Sequence, residues 1–142
     1  MKLPGQLSDT KDLNKKDING IEDIKLFVNS FYTDIQKDHL LGPIFNGVIQ
    51  DRWETHLETM YRFWQTILFD QHTYHGRPFP PHAKLPIDKN HFEHWLLLFR
   101  ATIDRLFEGP VAEEAKSRAE KMALLFQIKL EHIRKDPFKP IL

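Results

Sequence analysis

Histidine is the residue type in this chain best suited to metal chemistry. The sequence contains eight histidines and no cysteine, and five of the eight lie between positions 72 and 94. The lack of cysteine excludes disulfide frameworks, thiolate metal sites, cysteine-bound iron–sulfur clusters and cysteine nucleophiles. Histidine is therefore the residue type expected to bind a metal ion.

His82 differs from the other histidines in its surroundings. It follows Pro80 and Pro81, whose fixed φ angles stiffen the chain before it, and Pro86 prevents a long helix from continuing undisturbed after it. The imidazole is thus presented from a short, constrained element, which is what a five-coordinate haem iron requires of its protein ligand. Spacing alone leaves two interpretations open for His82, a metal ligand or an ordinary loop residue.

Four other histidines in the same region are expected to be exposed to solvent without a functional role. His72 and His75 lie in a stretch rich in Gly and Pro, so we expect solvated loop positions for both. His91 and His94 lie beside the apolar face of a predicted helix and are expected to face solvent.

Composition and missing motifs exclude several function classes. Twenty basic residues balance twenty acidic ones, so the excess charge that nucleic acid or an anionic membrane would require is lacking. The sequence also has no Glu-x-x-His, His-Glu-x-x-His, glycine-rich phosphate loop or Gly-x-Ser-x-Gly. The N-terminal residues lack the apolar centre of a signal peptide, which predicts a soluble, cytoplasmic protein. Aromatic residues make up 12% of the chain, enough to line a pocket as well as fill a core.

The elements that would position these side chains are predicted to be helices. Apolar residues recur at three- and four-residue steps, and no period-two alternation indicates a strand. The fold class predicted is therefore all-α. The amphipathic segments cover residues 21–38, 53–68, 92–106 and 111–133.

Breaks in the helical pattern set the other boundaries. Asn19 is predicted to cap the first helix, and HLLGPIFNGV after it is predicted to form a corner or loop. Glycine and prolines interrupt the pattern over 70–89, which predicts a long non-helical stretch. One domain over 17–135 is expected, between a flexible N-terminal arm over 1–16 and a C-terminal tail over 136–142.

Five features then occur in a fixed order along nearly the whole domain. They are Phe-Tyr in the first helix, Gly-Pro-Ile-Phe at the corner, His56 with Phe63-Trp64, the proline-flanked His82, and Phe-Glu-x-Trp at the start of the next helix. In order and spacing, the chain from about Asp17 to Ile133 resembles a group III truncated haemoglobin.

This resemblance implies a fold and a cofactor site. It implies a two-over-two helical sandwich, with haem b (iron protoporphyrin IX) held between the helix of His56 and the helix of Trp95. His82 matches the family's proximal iron ligand, while Tyr32, His56 and Trp95 match the distal residues that face bound gas. A hydroxyl, an imidazole and an indole N–H are donors suited to an oxygen ligand that carries partial negative charge. The residues expected to contact the cofactor are Phe45, Met60, Phe63, His82, Phe92 and Trp95.

The resemblance also implies a function. We expect a monomer that binds the diatomic gases O2, NO and CO, with NO dioxygenation or a peroxidase-like reaction as further activities. Either reaction would need a separate reductase as electron donor. The contrasting hypothesis is a haem-free helical interaction module, in which the aromatic stripes are simply core and His82 is a loop residue.

Overall fold

This computed structural model describes residues 15–135 of the chain. They contain five α-helices and one turn of 3-10 helix, Pro80–His82. No strand occurs within those residues, which confirms the all-α class. The predicted tail over 136–142 lies outside the described residues, as does the predicted arm apart from Lys15 and Lys16. The helices are α1 (Ile21–Lys37), α2 (Gly42–Ile49), α3 (Trp53–Phe69), α4 (Lys89–Leu106) and α5 (Pro110–Lys135).

Helix α2 corrects the prediction of a corner or loop after α1. Pro43 lies in the first turn of this helix, where its missing N–H is not needed for helical hydrogen bonds. Gly42 approaches α1 so closely that a Cβ atom there would lie 2.8 Å from the carbonyl oxygen of Gln36. The Gly-Pro pair therefore begins a helix packed tightly on α1, whereas the sequence pattern favoured a break.

The predicted Asn19 cap is also wrong. Gly20 occupies the N-cap position of α1 and makes no side-chain capping bond. Instead the backbone N–H of Asn19 donates to Oδ2 of the buried Asp23 at 2.9 Å, and Lys16 Nζ donates to the same carboxylate at 2.8 Å. The chain before α1 is thus held by a residue inside the first turn.

The helices pack around α1 and α4. Helix α1 contacts α2, α3 and α4, and helix α5 contacts α4 and α3. The large apolar residues that α1 buries recur at helical spacing, so they form one face of the helix. No helix among the described residues is long and apolar enough to cross a membrane. The buried residues of α1 are Asp23, Ile24, Phe27, Val28, Phe31, Tyr32 and Ile35.

An irregular segment over 70–88 joins α3 to α4, in agreement with the predicted non-helical stretch. Phe79 and Ile87 anchor it, because both side chains are buried in a small apolar cluster with Phe126 of α5. Arg134 also contacts the segment, since its Nη2 donates to the carbonyl oxygen of Ile87 at 2.7 Å. The segment that carries His82 is therefore attached to α5 on both sides of His82, at Phe79 and at Ile87.

Asp17, which precedes α1, caps the N-terminus of α5 although it lies far from α5 in the sequence. Its Oδ2 accepts from the N–H of Val111 and its Oδ1 from the N–H of Ala112, each at 2.9 Å. These are N–H groups that the first turn of a helix leaves without intrahelical partners. Gly109 makes the approach possible, because its φ is 139° and a Cβ there would lie 2.6 Å from Cγ of Asp17.

Replacing Asp17 with Ala is therefore expected to lower the free energy of unfolding by about 1–2 kcal/mol, the usual cost of losing an N-cap side chain. Urea denaturation followed by circular dichroism would measure the change. Asp51→Ala is the matched control, because Asp51 is exposed and takes part in no bond among the described residues. Equal midpoints for the two variants would contradict the capping role.

Candidate functional site

A cavity of about 290 Å³ is lined by side chains from all five helices and from the irregular segment. This volume is at the lower limit of ligand pockets, which span roughly 300–1,000 Å³. Every residue predicted to form the site lines the cavity: Tyr32, Phe45, His56, Met60, Phe63, His82, Phe92 and Trp95. The fold thus brings these predicted side chains together from four helices and one irregular segment.

His82 lies at the end of the 3-10 turn that the two prolines begin. Its Nδ1 is 2.7 Å from the carbonyl oxygen of Pro78. In the neutral tautomer protonated at Nδ1, that nitrogen donates to the carbonyl and leaves the lone pair of Nε2 for a metal. Burial lowers the pKa of His82, and the hydrogen bond to Pro78 opposes that shift. The side chain is therefore a neutral, oriented imidazole at neutral pH.

His56 is a half-buried residue of α3 whose imidazole packs against aromatic rings. Its centroid is 5.0 Å from that of Tyr32, with the two rings nearly perpendicular at 88°. Burial, with a smaller contribution from the charge of His82, lowers the pKa of His56 to about 4. Nε2 of His56 is buried without a hydrogen-bond partner among the described residues. A buried polar atom without a partner is rare in folded proteins and often marks a functional site.

Tyr32 and Trp95 bring two more donors to the cavity. Tyr32 is buried on α1, and burial raises the pKa of its phenol, so the hydroxyl stays protonated. Trp95 on α4 is stacked on Phe99 with ring centroids 5.5 Å apart, and Phe31 packs edge-on against Trp95 at 5.4 Å. These aromatic contacts fix the orientation of the indole. Within residues 15–135, neither donor is used in another hydrogen bond.

The remaining predicted residues give the cavity an apolar lining. Phe45 comes from α2 and lies 6.0 Å from the ring of Tyr32. Phe63 is buried on α3 in edge-on contact with Tyr74 at 5.2 Å, and Phe92 is buried near the start of α4. Met60 lies one helical turn after His56 and borders the same cavity. A flat apolar ligand would meet hydrocarbon on most of its surface here.

The sequence pattern favoured solvent for His91 and His94. That prediction was wrong for His91, whose side chain is only 16% exposed and borders the cavity, whereas the side chain of His94 is 32% exposed. Its Nδ1 accepts from the backbone N–H of Asp88 at 3.0 Å, which completes a capping box at the start of α4. His94 Nε2 lies 2.6 Å from Oδ1 of Asp38, beyond the end of α1. Each imidazole thus finds a polar partner within the fold.

Sequence reasoning missed several residues that line the cavity. Phe126 of α5 packs on His82 with ring centroids 5.0 Å apart. Phe126 belongs to the amphipathic segment predicted over 111–133, but helical spacing does not distinguish a cavity residue from a core residue. Tyr74 and Leu85 belong to the irregular segment, where no periodicity indicates which side chains turn inward.

Comparison with known proteins gives concordant matches. Residues 16–129 match the family model described as bacterial-like globin. The chain is similar to the group 3 truncated hemoglobin ctb of Campylobacter jejuni, with 32% identity over 110 residues that cover 75% of this chain and 87% of the relative. It is also similar to the crystal structure of the group III truncated hemoglobin from Campylobacter jejuni, with a TM-score of 0.76 and 31% identity. That match covers 82% of this chain and 94% of the other.

Proposed function

Because the chain belongs to the bacterial-like globins and, within them, to the group III truncated haemoglobins, we propose that it binds haem b in this cavity with His82 as the iron ligand. Membership of this family makes the protein a haem protein that binds diatomic gases. The proposal adds the identity of the cofactor, the residues that hold it and the gases O2, NO and CO.

The tethered imidazole of His82 is the observation that carries the proposal. A proximal ligand must be neutral, must present one ring nitrogen to the metal and must keep a fixed orientation. The bond from Nδ1 to Pro78 and the packing against Phe126 meet these needs. Within the described residues, no three side chains of the His, Asp or Glu type converge as a metal cage. Such a sparse donor set suits a metal that arrives with its own macrocycle of ligands.

The distal side of the cavity supplies hydrogen-bond donors. Bound haem iron supplies an open coordination position for a small diatomic molecule. Tyr32 keeps its phenolic proton because burial raises its pKa, and the Trp95 indole N–H is held in place by stacking on Phe99. His56 is neutral at neutral pH, so it adds one imidazole N–H or one lone pair according to its tautomer. Together these residues would stabilise a ligand that carries partial negative charge.

Two reactions are proposed beyond reversible binding, NO dioxygenation and a peroxidase-like oxidation. Both suit a distal pocket with several hydrogen-bond donors in an apolar enclosure, because such donors act most strongly where water is excluded. NO dioxygenation joins NO and O2 to form nitrate and takes one electron per turnover, and a peroxidase-like reaction reduces a peroxide to water or alcohol with two electrons. We assign the supply of these electrons to a separate reductase.

The test is an absorption spectrum of the purified protein supplied with haem, followed by NO consumption. A Soret band at one haem per chain is expected, and the oxygenated protein should then consume NO repeatedly when a reductant is added. A chain that stays folded but shows no Soret band would support the haem-free interaction module instead. A Soret band without NO consumption would restrict the function to ligand binding or to the peroxidase-like reaction.

A further inference from the structure

Trp53 contacts two of the distal side chains without lining the cavity itself. It is the first residue of α3 and is half-buried. Its ring centroid lies 5.7 Å from that of His56, with the planes at 89°, and 5.9 Å from that of Tyr32, with the planes at 59°. The indole therefore contacts both His56 and Tyr32 but does not border the cavity.

The start of α3 is anchored, which fixes the position of Trp53. The preceding Arg52 donates from its Nη2 to the carbonyl oxygen of Val48 at 2.6 Å and from its backbone N–H to that of Ile49 at 3.0 Å. These two carbonyls belong to the last turn of α2. The junction between α2 and α3 is thus closed by Arg52, and the backbone of Trp53 follows directly from it.

His56 needs a constraint of this kind to remain in the cavity. Its Nε2 has no polar partner among the described residues, so no hydrogen bond holds the imidazole inward. A buried imidazole without a partner gains free energy by rotating towards water, and a helical side chain reaches other staggered rotamers easily. The ring contacts of His56 in the described chain are those with Tyr32 and Trp53.

We propose that Trp53 is a positioning residue that confines the His56 imidazole to the cavity, beside Tyr32. Residues three apart on a helix lie side by side on its surface, so the Trp53 ring borders the space through which the imidazole would rotate outwards. The rings of Tyr32 and Trp53 contact each other as well as the imidazole, and Trp53 is the more exposed of the two. This inference rests on the proposed function, because it assigns a purpose to the inward orientation of His56.

The experiment measures CO association with the reduced holoprotein after laser photolysis, together with the infrared C–O stretch. In Trp53→Ala the imidazole should leave the cavity, which adds a second C–O band. If the inward orientation is populated above about 90% in the parent protein, CO association should rise roughly tenfold. Trp53→Phe should stay close to the parent, because an aromatic ring is retained. Thr55→Ala is the matched control, because this exposed residue lies on the same turn of α3.

A double-mutant cycle with His56→Ala separates positioning from general loosening. If Trp53 acts through His56, Trp53→Ala should change CO association by less than about twofold once His56 has been removed. The same tenfold rise in the His56→Ala background would overturn the inference, because Trp53 would then control access by itself. Unchanged CO association and an unchanged C–O band in Trp53→Ala would also overturn it.

The experiment distinguishes failure of this inference from failure of the proposed function. If Trp53→Ala does not fold, Trp53→Leu replaces it, and an intermediate rise in CO association that depends on His56 is then expected. Normal haem and CO binding with no effect of any Trp53 variant would refute this inference alone. A parent protein without a Soret band would refute the proposed function and this inference with it.

Discussion

Replacing His82 with Ala is expected to remove most of the haem from the protein. His82 would supply the protein's one strong bond to iron, and losing even an outer-shell partner of a metal ligand costs about 10- to 100-fold in affinity. Loss of the ligand itself should therefore weaken haem binding by more than about 100-fold. The ratio of Soret to protein absorbance, and the rate of haem transfer to an excess of an acceptor apoprotein, would measure the effect.

His75→Ala is the matched control for this substitution. His75 lies in the same irregular segment but is exposed and does not line the cavity, so its loss should leave haem retention unchanged. A second variant, His82→Gly, should recover its spectrum when free imidazole is added, because the small molecule can replace the missing ligand. Equal haem retention in the His82 and His75 variants would show that another residue binds the iron.

Removing the distal donors should change the kinetics of O2 far more than those of CO. A hydrogen bond to a charged acceptor contributes roughly 1.5–3 kcal/mol, so Tyr32→Phe and Trp95→Phe should each raise the O2 dissociation rate about ten- to a hundredfold. CO carries little negative charge and gains little from a donor. Stopped-flow displacement of each gas would give both dissociation rates for the same preparation.

The comparison of the two gases is the control for this prediction. A steric effect would change both dissociation rates equally, whereas the loss of a donor changes that of O2 selectively. The double variant should change the O2 rate by less than the product of the two single effects, because both donors share one acceptor. If neither gas responds, Tyr32 and Trp95 are ordinary core aromatics and the distal assignment is wrong.

Four of the five helices could be predicted because their signals are local in sequence, whereas His82 as iron ligand was predicted from the family resemblance, since its spacing left two interpretations open. Apolar residues at helical spacing determine a helix and its buried face wherever the rest of the chain lies. The prolines beside His82 likewise set a short, stiff element without help from tertiary contacts, and the 3-10 turn lies there. The eight residues predicted for the site line one cavity, but their roles with haem and gas stay predictions.

The errors arise where tertiary contacts decide the outcome. A Gly-Pro pair ends or begins a helix according to what the glycine packs against, and at Gly42 that neighbour is the carbonyl of Gln36. The side chain of His91 faces back to Asp88 because it lies in the first turn of α4, where capping competes with the usual facing of a helical residue. Tyr74 has no periodic neighbours, and it is held instead by packing on Phe63 and by the hydrogen bond from its backbone N–H to Thr66.

The bonds of Asp17 join positions 94 and 95 residues apart in the chain. Closing a loop of that length costs conformational entropy that grows with the logarithm of its length, so such contacts form after the local helices. We therefore expect the N-terminal segment to join the last helix late in folding. Contacts made after the transition state affect unfolding more than folding. In kinetic terms, losing the Asp17 side chain is expected to speed unfolding more than it slows folding.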